Sequence, residues 1–118
     1  MFKLKSGVKI EDLQELVPEI IIVLGIASRW CKDRNLEVVI TSIISDRENI
    51  ETVSDTHSTG RSVDVRTRDW RQETIDALEL YLNIHCQEYE APTKSGGGRV
   101  AYYHNNHLHL QVARKFLK

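Results

Sequence analysis

Five histidines occur in the chain, and four of them fall in two stretches whose residue types suit metal chemistry. The first is His57-Ser-Thr-Gly-Arg-Ser-Val-Asp64, an imidazole and a carboxylate separated by a glycine. The second is His104-Asn-Asn-His107-Leu-His109. Zinc takes nitrogen, sulfur or carboxylate donors, and its catalytic sites use three protein ligands and leave the fourth position to water. His57, Asp64 and His109 would supply two nitrogens and one carboxylate. Gly60 lets the backbone turn sharply between the first two. On a strand, residues 107 and 109 point to one face, so one histidine can bind metal while the other acts on substrate. A lone histidine is more often an ordinary surface or core residue, and His85, beside Cys86 on a helix, is read that way. The cluster at 104–109 could also be a chance surface patch, but Leu108, Leu110 and Val112 tie it to the core.

The elements that must bring these stretches together follow from periodicity. Residues 1–9 read as a lead-in. Ile10 to Val17 has helical spacing, and Pro18 either opens a second helix or kinks one long helix. From Glu19 to about Asp33, Ile20, Ile21, Val23, Leu24, Ala27, Trp30 and Cys31 form a wide apolar stripe, so this helix belongs at the centre of the core. Glu37 to Ile44 is rich in β-branched residues and reads as a buried strand. Ser45 to Thr56 is a polar loop, long enough to favour a functional loop over a plain connection. Ser62 to Arg66 alternates, with Val63 and Val65 on one face and Ser62, Asp64 and Arg66 on the other. Asp69 is expected to cap a helix from Trp70 to about Tyr89, with Ile75, Leu78, Leu82 and Cys86 inward. Ala91 to Gly98 reads as a flexible turn. Arg99 to Tyr103 and Leu108 to Val112 are the last strands, a pair about Asn105-Asn106. This order predicts one α+β domain over residues 1–118, a small mostly antiparallel sheet packed against helices.

Composition narrows the functions. The chain has 118 residues, 41% hydrophobic and 28% charged, with a formal net charge of -1. That suits one globular domain with a modest core and offers no electrostatic attraction for nucleic acid or a membrane surface. The most apolar run, Ile20 to Ala27, is far shorter than the roughly 20 residues that span a bilayer. The N-terminal stretch does not read as a signal peptide, so synthesis in the cytoplasm is expected. Cys31 and Cys86 lack a CxxC spacing and read as buried reduced thiols.

The two histidine stretches, taken in order, resemble those of a known family. His57-Ser-Thr-Gly60-Arg-Ser-Val-Asp64 is similar to the H-x-x-G-x-x-x-D signature of zinc D-Ala-D-Ala carboxypeptidases and related M15-type peptidoglycan peptidases. His107-Leu-His109 looks like their terminal H-x-H. Val39-Ile-Thr-Ser42 resembles the strand before their metal loop. The resemblance spans roughly residues 36 to 113. It implies a hedgehog/DD-peptidase-like fold, with Zn2+ held by His57, Asp64 and His109, and His107 as the catalytic partner. His104 matches a further active-site histidine in the murein endopeptidase branch, H-x-x-H-x-H. Arg47 is the implied arginine for the substrate carboxylate or the transition state, with Arg61 as its competitor. Two positions depart from the pattern: Asp55 stands where many members have serine, and Asn106 stands before His107 where many have an acid nearby.

The function expected is therefore zinc-dependent cleavage of an amide bond in peptidoglycan stem peptides or cross-links. Without a signal peptide, a phage or prophage product that reaches the wall after release or from the virion is expected. A zinc-stabilised module of the same fold without catalysis is the alternative, favoured by the missing acid.

Overall fold

The computed structural model describes residues 2–43, 61–92, 97–104 and 106–113. Arg47, Asp55, His57 and Gly60, and with them the expected loop from Ser45 to Thr56, lie outside these residues. The elements in order are β1 (Phe2–Leu4), a 3-10 helix (Ile10–Glu15), α1 (Pro18–Lys32), β2 (Val38–Ser42), β3 (Ser62–Arg66), α2 (Gln72–His85), a 3-10 turn (Gln87–Tyr89), β4 (Ala91–Pro92), β5 (Gly98–Arg99), β6 (Ala101–His104) and β7 (His107–Gln111). The architecture is α+β. A five-stranded sheet runs in the order β1-β2-β3-β7-β6, with β1 parallel to β2 and the other pairings antiparallel. β4 and β5 form a separate two-stranded ribbon.

The core lies between one face of the sheet and the two helices. α1 turns Ile20, Val23, Leu24, Ala27, Trp30 and Cys31 inward, and α2 adds Ile75, Leu78 and Leu82. They meet Val63, Val65, Ala101, Leu108 and Leu110 from the strands. Each fully buried aliphatic side chain here contributes about 1.5–3 kcal/mol relative to an exposed one. Pro18 occupies the first turn of α1, where its missing N–H costs no hydrogen bond. Three residues past the end of α1 at Lys32, Asn35 reverses the chain with a φ of 58°, and the Leu36 N–H bonds the Cys31 carbonyl at 2.9 Å.

Four expectations need correction. The lead-in contains β1, whose strand character comes from pairing with β2, Phe2 opposite Val38, rather than from its own three residues. The segment from Ile10 is helical, as its spacing implies, but it is a 3-10 helix that ends at Glu15 rather than Val17, and Pro18 opens a second helix. Asp69 does not cap α2. A Trp70 N–H to Thr67 carbonyl bond closes a turn there and delays the helix to Gln72, with Arg71 at its N-cap. The segment from Ala91 to Gly98 has strand pairs at its ends, Ala91 with Arg99 and Pro92 with Gly98. No helix among the described residues is long and apolar enough to cross a membrane. Cys31 and Cys86 are both buried free thiols.

Candidate metal centre

The polar face of the sheet is laid out in rows by strand register. One row runs Ser42, Asp64, His109, Tyr102 across four strands. The next, toward the β6–β7 hairpin, runs Arg66, His107, His104. A third pairs Ser62 with Gln111. Alternation on β3 and β7 makes this face opposite to the one holding Val63, Val65, Leu108 and Leu110.

An irregularity in β2 brings its end into the first row. Register shifts between Ile40, paired with Val65, and Ser42, paired with Asp64. Thr41 and Ser42 therefore both oppose Asp64, and the Thr41 hydroxyl donates to the Asp64 carbonyl at 3.3 Å. The same shift explains how Ile40 and Ile43, an odd number of residues apart, are both buried.

At the centre, His109 Nδ1 lies 2.8 Å from Asp64 Oδ1. His109 is only 6% exposed, and the Asp64 side chain 23%. The other ring nitrogen, Nε2, is 3.2 Å from Gln111 Oε1. Tyr102 packs its ring against His109 with centroids 4.8 Å apart and planes at 44°. Burial, aided by the nearby Asp64 charge, pushes the Tyr102 phenol above its ordinary pKa. His107 is half-buried and His104 exposed, paired across the hairpin. Neighbouring same-face residues of a strand stand about 7 Å apart, so His107 borders the Asp64–His109 pair.

Supporting contacts hold these strands in phase. Arg61 is buried and donates from Nη1 to the Val112 carbonyl at 3.0 Å, while the Val112 N–H returns a bond to the Arg61 carbonyl at 3.0 Å. Arg61 thus clasps the start of β3 to the end of β7. Asn106 has a φ of 66°, a left-handed conformation that asparagine tolerates better than most residues. Its carbonyl accepts from the Thr67 hydroxyl at 2.8 Å, and its side-chain oxygen accepts from the Tyr103 hydroxyl at 3.0 Å. At the other end of β6, Asn83 of α2 accepts from the Val100 and Ala101 N–H groups and donates to the Ala101 carbonyl.

The fold brings Asp64 and His109 together and sets His107 and His104 beside them on one face. His57 and Arg47 lie outside the described residues. No group of three His, Cys, Asp or Glu side chains that could hold a metal occurs among the described residues. The pair that is described sets an imidazole nitrogen and a carboxylate oxygen within hydrogen-bond distance, and both are donor types that zinc accepts. His85 takes no part; it stacks on Tyr81 of α2, centroids 4.2 Å apart. Reasoning from the sequence missed Gln111 and Tyr102 as neighbours of His109. Gln111 could have been found by continuing the period of two along β7. Tyr102 is on another strand, so only register shows it.

No family model matches the chain, and no curated protein or solved structure gives a significant match.

Proposed function

We propose that this chain is a zinc-dependent peptidase of the hedgehog/DD-peptidase type, cleaving an amide bond in peptidoglycan stem peptides or cross-links. The observation that carries the reading is the 2.8 Å approach of His109 Nδ1 to Asp64 Oδ1. Those two residues come from separate motifs, and they meet on adjacent strands at the positions assigned to ligands. His57 would complete the ligand set. A bound zinc would supply Lewis acidity, polarising the scissile carbonyl and making water nucleophilic near neutral pH.

The remaining work falls to the chain's own side chains. An imidazole nitrogen of His107 takes the proton of the attacking water and returns it to the leaving amine. His104, its register partner, assists that transfer from the hairpin edge. Arg47 is the proposed guanidinium for the substrate carboxylate or the developing oxyanion. Arg66, the register partner of His107, is a further cation on this face for the same task.

A second reading has its own support. The paired strand positions of the polar face hold one carboxylate, Asp64. Asn106, where an acid would be expected, is committed to the turn by its left-handed backbone and two hydrogen bonds. Both features suit a zinc-stabilised module without catalysis. Metal analysis and peptidoglycan digestion separate the readings. The peptidase carries about one zinc per chain and releases wall peptides, an activity lost to a chelator and restored by zinc. Bound zinc with no release of wall fragments selects the module, and absence of metal from protein purified without chelators defeats both.

A further inference from the structure

We infer that the open cleft where β1 meets the end of β2 is a subsite for a zwitterionic amino-acid end, an ammonium and a carboxylate on one carbon. Lys5 meets the carboxylate and Asp12 the ammonium. The cleft has a volume of about 290 Å3, and its lining includes Lys5, Ser6, Gly7, Asp12, Thr41 and Ser42. The backbone fixes its walls. The Lys5 N–H bonds the Ile40 carbonyl at 2.8 Å, which carries the β1–β2 pairing past Leu4. The Val8 N–H then bonds the Lys5 carbonyl at 2.9 Å and closes a turn. The third residue of that turn, Gly7, has a φ of 95°, which glycine adopts at little cost. On the other wall, Asp12 Oδ2 accepts the Lys9 N–H at 3.3 Å, and its Oδ1 accepts no hydrogen bond from the described residues.

The two charges choose the ligand. Lys5 is exposed and, among the described residues, forms no ion pair with Asp12 or any other acid. A simple anion suits Lys5 and is repelled by Asp12; a simple cation, a metal ion included, meets the reverse. A group carrying both charges satisfies both side chains through charge-assisted hydrogen bonds. The volume is at the small end of ligand sites, about 300–1,000 Å3, so the occupant is one residue and not a long segment. The cleft also adjoins the candidate metal centre. Ser42 stands opposite Asp64 in the sheet, and the Thr41 hydroxyl bonds the Asp64 carbonyl. β1 lies two strands from β3, about 10 Å at the usual strand spacing. That is roughly three residues of extended peptide. Either terminus of a peptide carries only one of the two charges. Within a peptide, both occur on one carbon at the free side-chain end of a diamino dicarboxylic residue. A released amino acid offers the same chemistry. That the occupant belongs to the peptide being cut rests on the peptidase reading; the charge recognition does not.

Amide proton–nitrogen spectra of the metal-free full chain test the cleft without catalysis. Diaminopimelate, which carries the zwitterion at both ends, should move the Gly7 and Ser42 signals saturably. Pimelate lacks the ammonium groups and cadaverine lacks the carboxylates; each should bind about tenfold more weakly. Lys5→Met should weaken diaminopimelate and pimelate by about tenfold and leave cadaverine unchanged. Asp12→Asn should weaken diaminopimelate and cadaverine and leave pimelate unchanged. A merely structural role does not produce this crossed pattern. Equal affinity for the three probes, signals that move only elsewhere, or no saturable shift overturns the inference. Should either variant fail to fold, the three probes on the wild type decide. In digestion by the zinc-loaded protein, wall peptides with a diaminopimelyl side chain should show a KM about tenfold below those with a lysyl one, and Lys5→Met should close the gap. An equal KM, with the probe pattern present, supports the cleft as a site for a released amino acid and removes its role toward the intact peptide. A chain that binds diaminopimelate but never zinc keeps the subsite and removes the peptidase reading. An active peptidase whose cleft ignores the probe removes the subsite alone.

Discussion

The two faces of β7 are both largely buried but obey different rules. Leu108 and Leu110 are fully buried against the helices, and on the reverse side His109 and Gln111 are buried almost as deeply. The apolar face gains from area removed from water and tolerates changes of shape that keep volume. The polar face gains nothing from burial itself, because each dry nitrogen or oxygen costs free energy unless a partner meets it. His109 and Gln111 have named partners at 2.8 and 3.2 Å. The apolar face, through its packing, sets the register that makes those partners coincide. A slip by one residue would exchange the faces and destroy both.

The largest test of this contrast removes His109. His109→Ala should lose all bound zinc by elemental analysis while keeping its circular dichroism, because Leu108 and Leu110 still anchor the strand. Unfolding of the metal-free variant would show that the polar face also sustains the fold. Next comes His107→Ala, which should keep its zinc yet lose about 10²–10⁴-fold in muropeptide cleavage. Loss of metal along with activity would place His107 among the ligands. On the opposite face, Leu110→Ala should cost about 2–5 kcal/mol in urea unfolding. A cost near zero would mean that β7 is not held by its apolar side.

Smaller effects probe what fixes the phase of the two faces. Asn106→Ala should cost about 1–2 kcal/mol at its left-handed turn position, and Asn106→Gly less. Equal costs for the two would point to the hydrogen bonds of Asn106, rather than its backbone, as its contribution. The smallest effect is a pH dependence from the core. Burial, only partly offset by Arg34, pushes the Cys31 thiol up to about 11 from 9.0. The folded state therefore favours the protonated thiol. Its contribution is fully present below pH 9.0 and is lost as pH rises through about 11. Cys31→Ala should flatten the fall in unfolding free energy across that window, and an unchanged slope would assign the fall to other groups.

Much of the fold was legible because periodicity is a local signal. The apolar stripe of α1, the alternation of β3 and the run of β-branched residues in β2 each announce an element from a handful of neighbours in sequence. What failed depended on partners far along the chain. β1 has three residues, and pairing with β2 makes it a strand. Asp69 has the chemistry of a helix cap, but the turn held by Thr67 and Trp70 keeps it outside the helix. In the candidate site, Asp64, His107 and His109 were recognisable by type and spacing. Tyr102 and Gln111 were not, since nothing in a tyrosine or glutamine marks it as the neighbour of a particular histidine.

By itself the sequence determined which side chains share a face. A strand's period of two commits Ser62, Asp64 and Arg66 to one side and His107, His109 and Gln111 to one side, whatever the strands pair with. Only the tertiary structure decided that those two sides are the same side and that Asp64 stands opposite His109 rather than His107 or Gln111. Register between strands 45 residues apart in sequence is a property of the packed sheet. It is set by the apolar face, by the Arg61 clasp at one end and by the Asn106 turn at the other, and it decides which atoms of the polar face can act together.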